Sequence, residues 1–111
     1  MTDWVITIPK TIEWSDYEKE LKAVLSGGSV LNYRVPFRPK VMVGDRCYVV
    51  WRGRVRGWMY IVGVVNDKIG FTCETTGKFW PPGWYVQRMG TFYEMDGPAM
   101  KGFRGIRRLK A

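Results

Sequence analysis

The chain contains no histidine. That removes the side chain that exchanges protons near neutral pH, and with it imidazole acid–base chemistry, Ser–His and Cys–His nucleophilic pairs and most zinc sites. Cysteine is scarce too, with Cys47 and Cys73 the two present. Two thiols cannot hold zinc alone, and each sits in a strand-like pattern ("RCYVV", "FTCETT"), so both are expected to be reduced core residues. Long hydrophobic runs are missing, the longest being stretches such as "YIVGVV", and no basic leader precedes an apolar segment at the N-terminus. Neither a membrane span nor a signal peptide is expected, and a cytoplasmic location is. Repeats, low-complexity tracts and linkers are absent as well, so residues 1–111 are expected to form one domain with a modest core.

What the chain does have is aromatic and basic. Hydrophobic residues make up 46% and aromatics 15%, enough apolar surface to offset the entropy of ordering. The net charge is +8, unevenly placed: residues 1–29 carry three lysines against five carboxylates, whereas residues 30–111 carry fifteen cations against five. Ten of those fifteen are arginine, whose planar fork suits phosphates and guanine edges and stacks on flat rings. The balance favours a polyanion partner over a merely solubilising surface.

"WVITIP" reads as a first strand closed by proline. In "SDYEKELKAVLSGG", Ser15 and Glu18 form a capping box, Tyr17, Leu21, Val24 and Leu25 recur at helical spacing, and Gly27–Gly28 ends the pattern, predicting a helix over 16–25. From Val30 onward the text is short β-rich runs broken by glycine and proline. "RCYVVWR" and "VRGWMYIVGVV" are two strands joined at Gly53, with Val49, Ile61 and Val64 pointing into a core. "GFTCETT" is a further strand, "GKFWPPGW" a loop, "WYVQRMGTFYEM" one or two strands, and "FRGIRRL" a closing strand with a bulge at Gly105. The class is α+β, mainly β: a pseudo-barrel of about six strands with one main helix near the N-terminus.

Four clusters could carry chemistry. At the bend "WRGRVRGW", Arg52, Arg54 and Arg56 fall on one strand parity and repel one another unless an anion sits among them. They either anchor phosphates or keep a hairpin tip soluble, with Trp51 and Trp58 in the core. In "TTGKFWPPGWY", Phe79, Trp80, Trp84 and Tyr85 surround a stiff Pro–Pro–Gly turn and either clamp an unstacked base or cap a barrel end. The tail adds Arg104, Arg107 and Arg108, as further phosphate contacts or a solvated basic end. In "IPKTIEWS", Lys10, Thr11 and Glu13 could form a nucleophile or base pair with a hydroxyl partner, or lie idle on the surface.

The order of these features resembles the PUA-like superfamily of small β-barrels, in particular its EVE and ASCH branches. The shared features are a Trp-bearing first strand, an early helix, a Gly44–Asp45 turn entering a strand, a strand of type "GWMYIVGVV" and the closing "GFRGIRRL". The resemblance implies a pseudo-barrel that binds RNA or DNA, in some branches by taking a modified or flipped base into an aromatic cleft beside the helix. "IPKTIEWS" is similar to the ASCH signature G-x-K-x-x-E-x-R through Lys10 and Glu13, with Ile8 and Ser15 at its Gly and Arg positions. The expectation is a nucleic-acid-binding module without chemistry of its own and with no cofactor or metal. Arg52, Arg54, Arg56, Arg88, Arg104, Arg107 and Arg108 would contact phosphates, and Trp80, Trp84, Trp58 and Tyr85 would stack on a base. The alternatives are an amidohydrolase acting on a modified nucleoside through Lys10, Thr11 and Glu13, or a basic inhibitor that docks on an acidic protein.

Overall fold

The fold is that of a computed structural model, which describes residues 2–73, 77–103 and 105–109. Eight strands and one helix follow in the order β1 (Asp3–Ile8), α1 (Trp14–Gly27), β2 (Leu31–Val35), β3 (Arg46–Trp51), β4 (Arg54–Asp67), β5 (Phe71–Thr72), β6 (Phe79–Trp80), β7 (Gly83–Glu94) and β8 (Ile106–Arg108). Six of the strands make one sheet in the order β2-β7-β4-β3-β1-β8, and β5 and β6 form a separate small hairpin. The architecture is the expected mainly-β one with a single helix near the start, the large sheet curling into a half-barrel. Among the described residues, no helix is long and apolar enough to cross a membrane.

The helix begins earlier and ends later than its periodicity predicts. Ser15 lies inside it, so the expected capping box is not formed; Glu13 occupies the N-cap position and makes no side-chain cap bond. Trp14 is the reason, because its ring stacks on Tyr17 at 5.2 Å and meets Trp51 and Phe92, which draws residue 14 into the first turn. At the other end Gly28 takes the left-handed conformation, φ 70°, and its N–H closes on the Val24 carbonyl at 3.2 Å. Tyr17, Leu21 and Val24 bury the inner face of the helix in the hollow of the sheet.

Apolar side chains pack on both faces of β1 and β3. Ile6, Ile8, Cys47, Val49, Met59, Ile61 and Val86 form the main core beneath α1, with Val64 packed against it. Val5, Val50 and Val55 form a second cluster on the outside, under Met100, Phe103 and Leu109. This explains why β1 and β3, which pair in parallel, read as nearly continuous apolar runs. It also resolves the tail: Ile106 packs in the main core and Leu109 in the outer cluster. Gly105, at φ 75°, turns the chain into a regular β8, so no bulge in the strand is needed. Gly57 allows a close crossing, since a Cβ there would sit 2.4 Å from the Phe92 ring.

Corrections to the expected elements are local. The described part of "GFTCETT" contributes two strand residues, β5, and "GKFWPPGW" contains a strand, β6, that pairs with it. Cys47 is a buried thiol that forms no disulfide, and burial pushes it up to about 11. Cys73 is half-buried after β5 instead of joining the core.

The start of the chain is held by Asp45. Its side chain is 6% exposed and accepts hydrogen bonds from Thr2 N at 3.0 Å, Trp4 Nε1 at 2.8 Å and Met42 N at 3.0 Å. Burial alone would raise this carboxyl, but the donors from Thr2, Met42 and Trp4 hold it below the ordinary aspartate range. A depressed carboxylate contributes its stability above the unfolded pKa and loses it as pH falls through the native one. Asp45→Asn should therefore cost about 2–3 kcal/mol at neutral pH, read from urea midpoints. The gap from wild type should narrow only below about pH 4. A gap already closing between about pH 7 and pH 5 would rule this anchoring out.

Candidate functional site

Curling brings the two edges of the sheet together without pairing them. Across this seam Tyr33, on edge strand β2, directs its hydroxyl to the carbonyls of Thr7 at 3.3 Å and Gly105 at 3.4 Å. A cavity of about 640 Å³ opens there, within the usual size range of small-molecule sites. Its walls are the Asp16, Tyr17, Glu20 and Val24 face of α1, the end of β1 with the loop through Ile12, strand β2, and the β5–β6 hairpin with Lys78 and Trp80.

Arg88 lies in this wall, and its position is set by register. It pairs with Leu31 on β2, and in β7 it shares the inward parity of Val86. The side chain is 1% exposed. Nη1 donates to Tyr17 Oη at 2.8 Å, and the guanidinium lies 6.0 Å from the centre of the Tyr33 ring. Burial raises the Tyr17 hydroxyl above its ordinary value, with Arg88 working against that, so at neutral pH the pair is a neutral phenol and a charged guanidinium. No carboxylate within the described residues pairs with Arg88.

Two buried side-chain nitrogens in the described residues have no hydrogen-bond partner, Arg88 Nε and Trp80 Nε1, and both residues line this cavity. Buried polar atoms are almost always paired, so two orphaned donors on residues that line one cavity call for acceptors that the described residues do not supply. Two carboxylate acceptors in the same wall sit on α1. Asp16 and Glu20, one turn apart, share the cavity wall. Burial raises the Glu20 carboxyl above its ordinary value, Arg88 opposes the shift and Asp16 adds to it. Donors arriving in the cavity would favour the ionised form.

Trp80 is held by its own hairpin. Its ring runs parallel to Phe71 at 6.2 Å, meets Tyr85 edge-on at 5.8 Å, and lies beneath Lys78 at 5.6 Å. Tyr85 in turn donates its hydroxyl to the Pro81 carbonyl.

Of the four expected stacking residues, Trp80 alone lines the cavity. Tyr85 has no exposed surface and supports Trp80 from behind, which corrects its assignment as a base contact. Trp84 packs against the main core, with Arg38 over its ring at 5.7 Å. Trp58 stacks on Tyr93 at 4.3 Å, with Arg46 over its ring at 5.4 Å and Tyr48 and Tyr60 alongside. That cluster is on β3, β4 and β7, in the middle of the sheet and away from the seam at its edges.

The expected phosphate contacts separate as well. Arg88 is buried, so its place among surface contacts is corrected. The hairpin arginines are engaged by protein partners, two of them at Trp51. Arg54 pairs with Asp96 at 3.1 Å, and Arg56 lies over Trp51 at 5.1 Å. Arg52, at φ 48°, donates to the Lys10 carbonyl and to Glu13 and covers Trp51 at 4.2 Å. It therefore clips the β3–β4 hairpin onto the β1–α1 loop. Arg107 lies over Phe103 at 4.5 Å, Arg108 is exposed on β8, and Arg104 falls outside the described residues. Of the Lys10, Thr11 and Glu13 trio, Thr11 lines the cavity, while Lys10 and Glu13 are exposed and engaged by Arg52 through a carbonyl and an ion pair. Among the described residues no three acidic or thiol side chains gather as metal ligands.

Tyr17, Glu20, Asp16 and Tyr33 escaped sequence reasoning because each reads as an ordinary helix or strand position. One signal was available: in "WYVQRM", Arg88 takes the core parity that Trp84 and Val86 share.

A buried cation without a counter-ion destabilises the fold, and an apolar side chain of similar length removes that cost. Arg88→Met should keep the fold and raise its stability by about 1 kcal/mol or more, measured by urea unfolding. A loss of several kcal/mol would mean that Arg88 is a structural residue. Against protein-family models, curated proteins and solved structures, the chain matches none.

Proposed function

We propose that this protein binds nucleic acid and that its half-barrel is of the PUA-like kind, receiving an unpaired base in the seam cavity. The observation that carries this reading is the pair of orphaned donors, Arg88 Nε and Trp80 Nε1, in one cavity walled by Tyr17, Tyr33 and Trp80. A flat heterocycle with acceptors on its edge would stack on such rings and fill both vacancies, a contact worth about 1–3 kcal/mol per stacked base.

The rim supplies the phosphate side. Arg34 and Lys78 line the cavity, and Arg38 lies further along the chain beyond β2. Arg52 and Arg54 hold carboxylates only in exposed ion pairs, which are worth little and exchange readily for phosphate. In this arrangement electrostatics positions the strand and the cavity selects the base. No chemical step is assigned, since Lys10 and Glu13 point their contacts at the hairpin and not at the cavity.

Binding of a fluorescent single-stranded oligonucleotide, titrated across a salt series, tests this. Contact with about five phosphates predicts a slope of log K against log salt of roughly −3.5 for a single strand. Arg34→Ala combined with Lys78→Ala should flatten that slope by roughly one unit or more. Absence of binding, or binding indifferent to salt, would overturn the proposal.

A further inference from the structure

We infer that the seam cavity reads a guanine edge, with Arg88 and Trp80 donating to one side of the ring and Glu20 accepting from the other. The inference deepens the proposed function and rests on it only for the source of the base.

The charges on the walls decide first between a phosphate and a base. Arg34, Lys78 and Arg88 are offset there by Asp16 and Glu20. A phosphate entering would meet two carboxylates on the α1 wall, whereas a neutral heterocycle meets no like charge. The ligand must also bring both kinds of hydrogen-bonding group. It needs acceptors for Arg88 Nε and Trp80 Nε1, and donors for Glu20, which makes no hydrogen bond within the described residues.

Among the common bases this combination picks out one. Guanine carries two adjacent N–H donors, at N1 and N2, which match the two oxygens of a carboxylate. On the neighbouring side it carries O6 and N7, the acceptor pair that a guanidinium engages. Adenine sets its amino donor beside an acceptor, cytosine has a single amino donor, and uracil has one N–H between two carbonyls. None of the three offers a carboxylate two parallel donors. Tyr33, with the Arg88 guanidinium 6.0 Å from its ring centre, and Trp80, parallel to Phe71, provide the flat walls.

The test uses free nucleosides and the intact protein. Guanosine, adenosine, cytidine, uridine and inosine are titrated while tryptophan fluorescence is followed, with calorimetry as a second readout. Guanosine should bind at least about tenfold more tightly than the other three standard nucleosides. Inosine, which lacks the 2-amino donor, should also fall about tenfold below guanosine. In Glu20→Gln the guanosine advantage should disappear while oligonucleotide binding keeps its salt slope.

Equal binding of all nucleosides, or of inosine and guanosine, would overturn the inference whatever the variant does. No nucleoside binding alongside salt-dependent oligonucleotide binding would also overturn it, yet leave the nucleic-acid reading standing. Guanosine selectivity without oligonucleotide binding would support the cavity assignment and remove the nucleic-acid rim.

Discussion

A guanidinium buried with no ion pair among the described residues is the constraint around which the seam is organised. Arg88 must stay charged, because arginine does not deprotonate in proteins. Its surroundings therefore have to make that charge tolerable by other means: the Tyr17 hydroxyl at 2.8 Å and the Tyr33 ring, with Nε buried and unpartnered among the described residues. Each of these groups also has a mechanical role. Tyr17 sits in the buried face of α1, and Tyr33 spans the seam to Thr7 and Gly105. The helix, both edges of the sheet and the cavity thus meet at one side chain.

A fully closed barrel would have no place for this. With β2 hydrogen-bonded along its free side, the edge would be satisfied and the space between β2 and β1 would close. Here the seam is spanned by Tyr33, while β2 keeps its ladder to β7. The site depends on a defect in closure, and other contacts keep that defect from spreading. Asp45 fixes the start of β1 to the turn before β3, and Arg52 holds the β1–α1 loop against the β3–β4 hairpin. Arg52 does this from a left-handed conformation that arginine seldom adopts, so its contacts offset a local strain.

The sequence conveyed the fold more fully than the site. Strand alternation and the Gly53 turn located β3 and β4, and the Tyr17, Leu21, Val24 spacing located α1, because both periodicities are local. The helix start was misplaced because Trp14 is recruited by Trp51 and Phe92, which are distant in sequence. The pairing of β5 with β6 was hidden because each strand is two residues long, too short for alternation to show. Aromatic clustering in "KFWPPGWY" suggested one clamp, but alternation along β7 sends Trp84 inward and Tyr85 to the face covered by the hairpin. Neighbours in sequence were thereby placed on opposite faces. The cavity itself is assembled from α1, β1, β2, β7 and the β5–β6 hairpin, so no local pattern could contain it.

The arginine-rich bend illustrates the difference between charge count and charge use. Three arginines in five residues suggest an anion site, yet here they are divided among Glu13, Asp96 and the Trp51 ring, and one of them shapes a turn. Such contacts are exposed and cheap to exchange, so they contribute to long-range attraction more than to recognition. Arg88 contributes little to the outer field of the protein but cannot exchange its partners for water without a ligand or a structural change. Under the proposed function, selectivity would reside where leaving a donor unmatched is costly, which is the seam and not the bend.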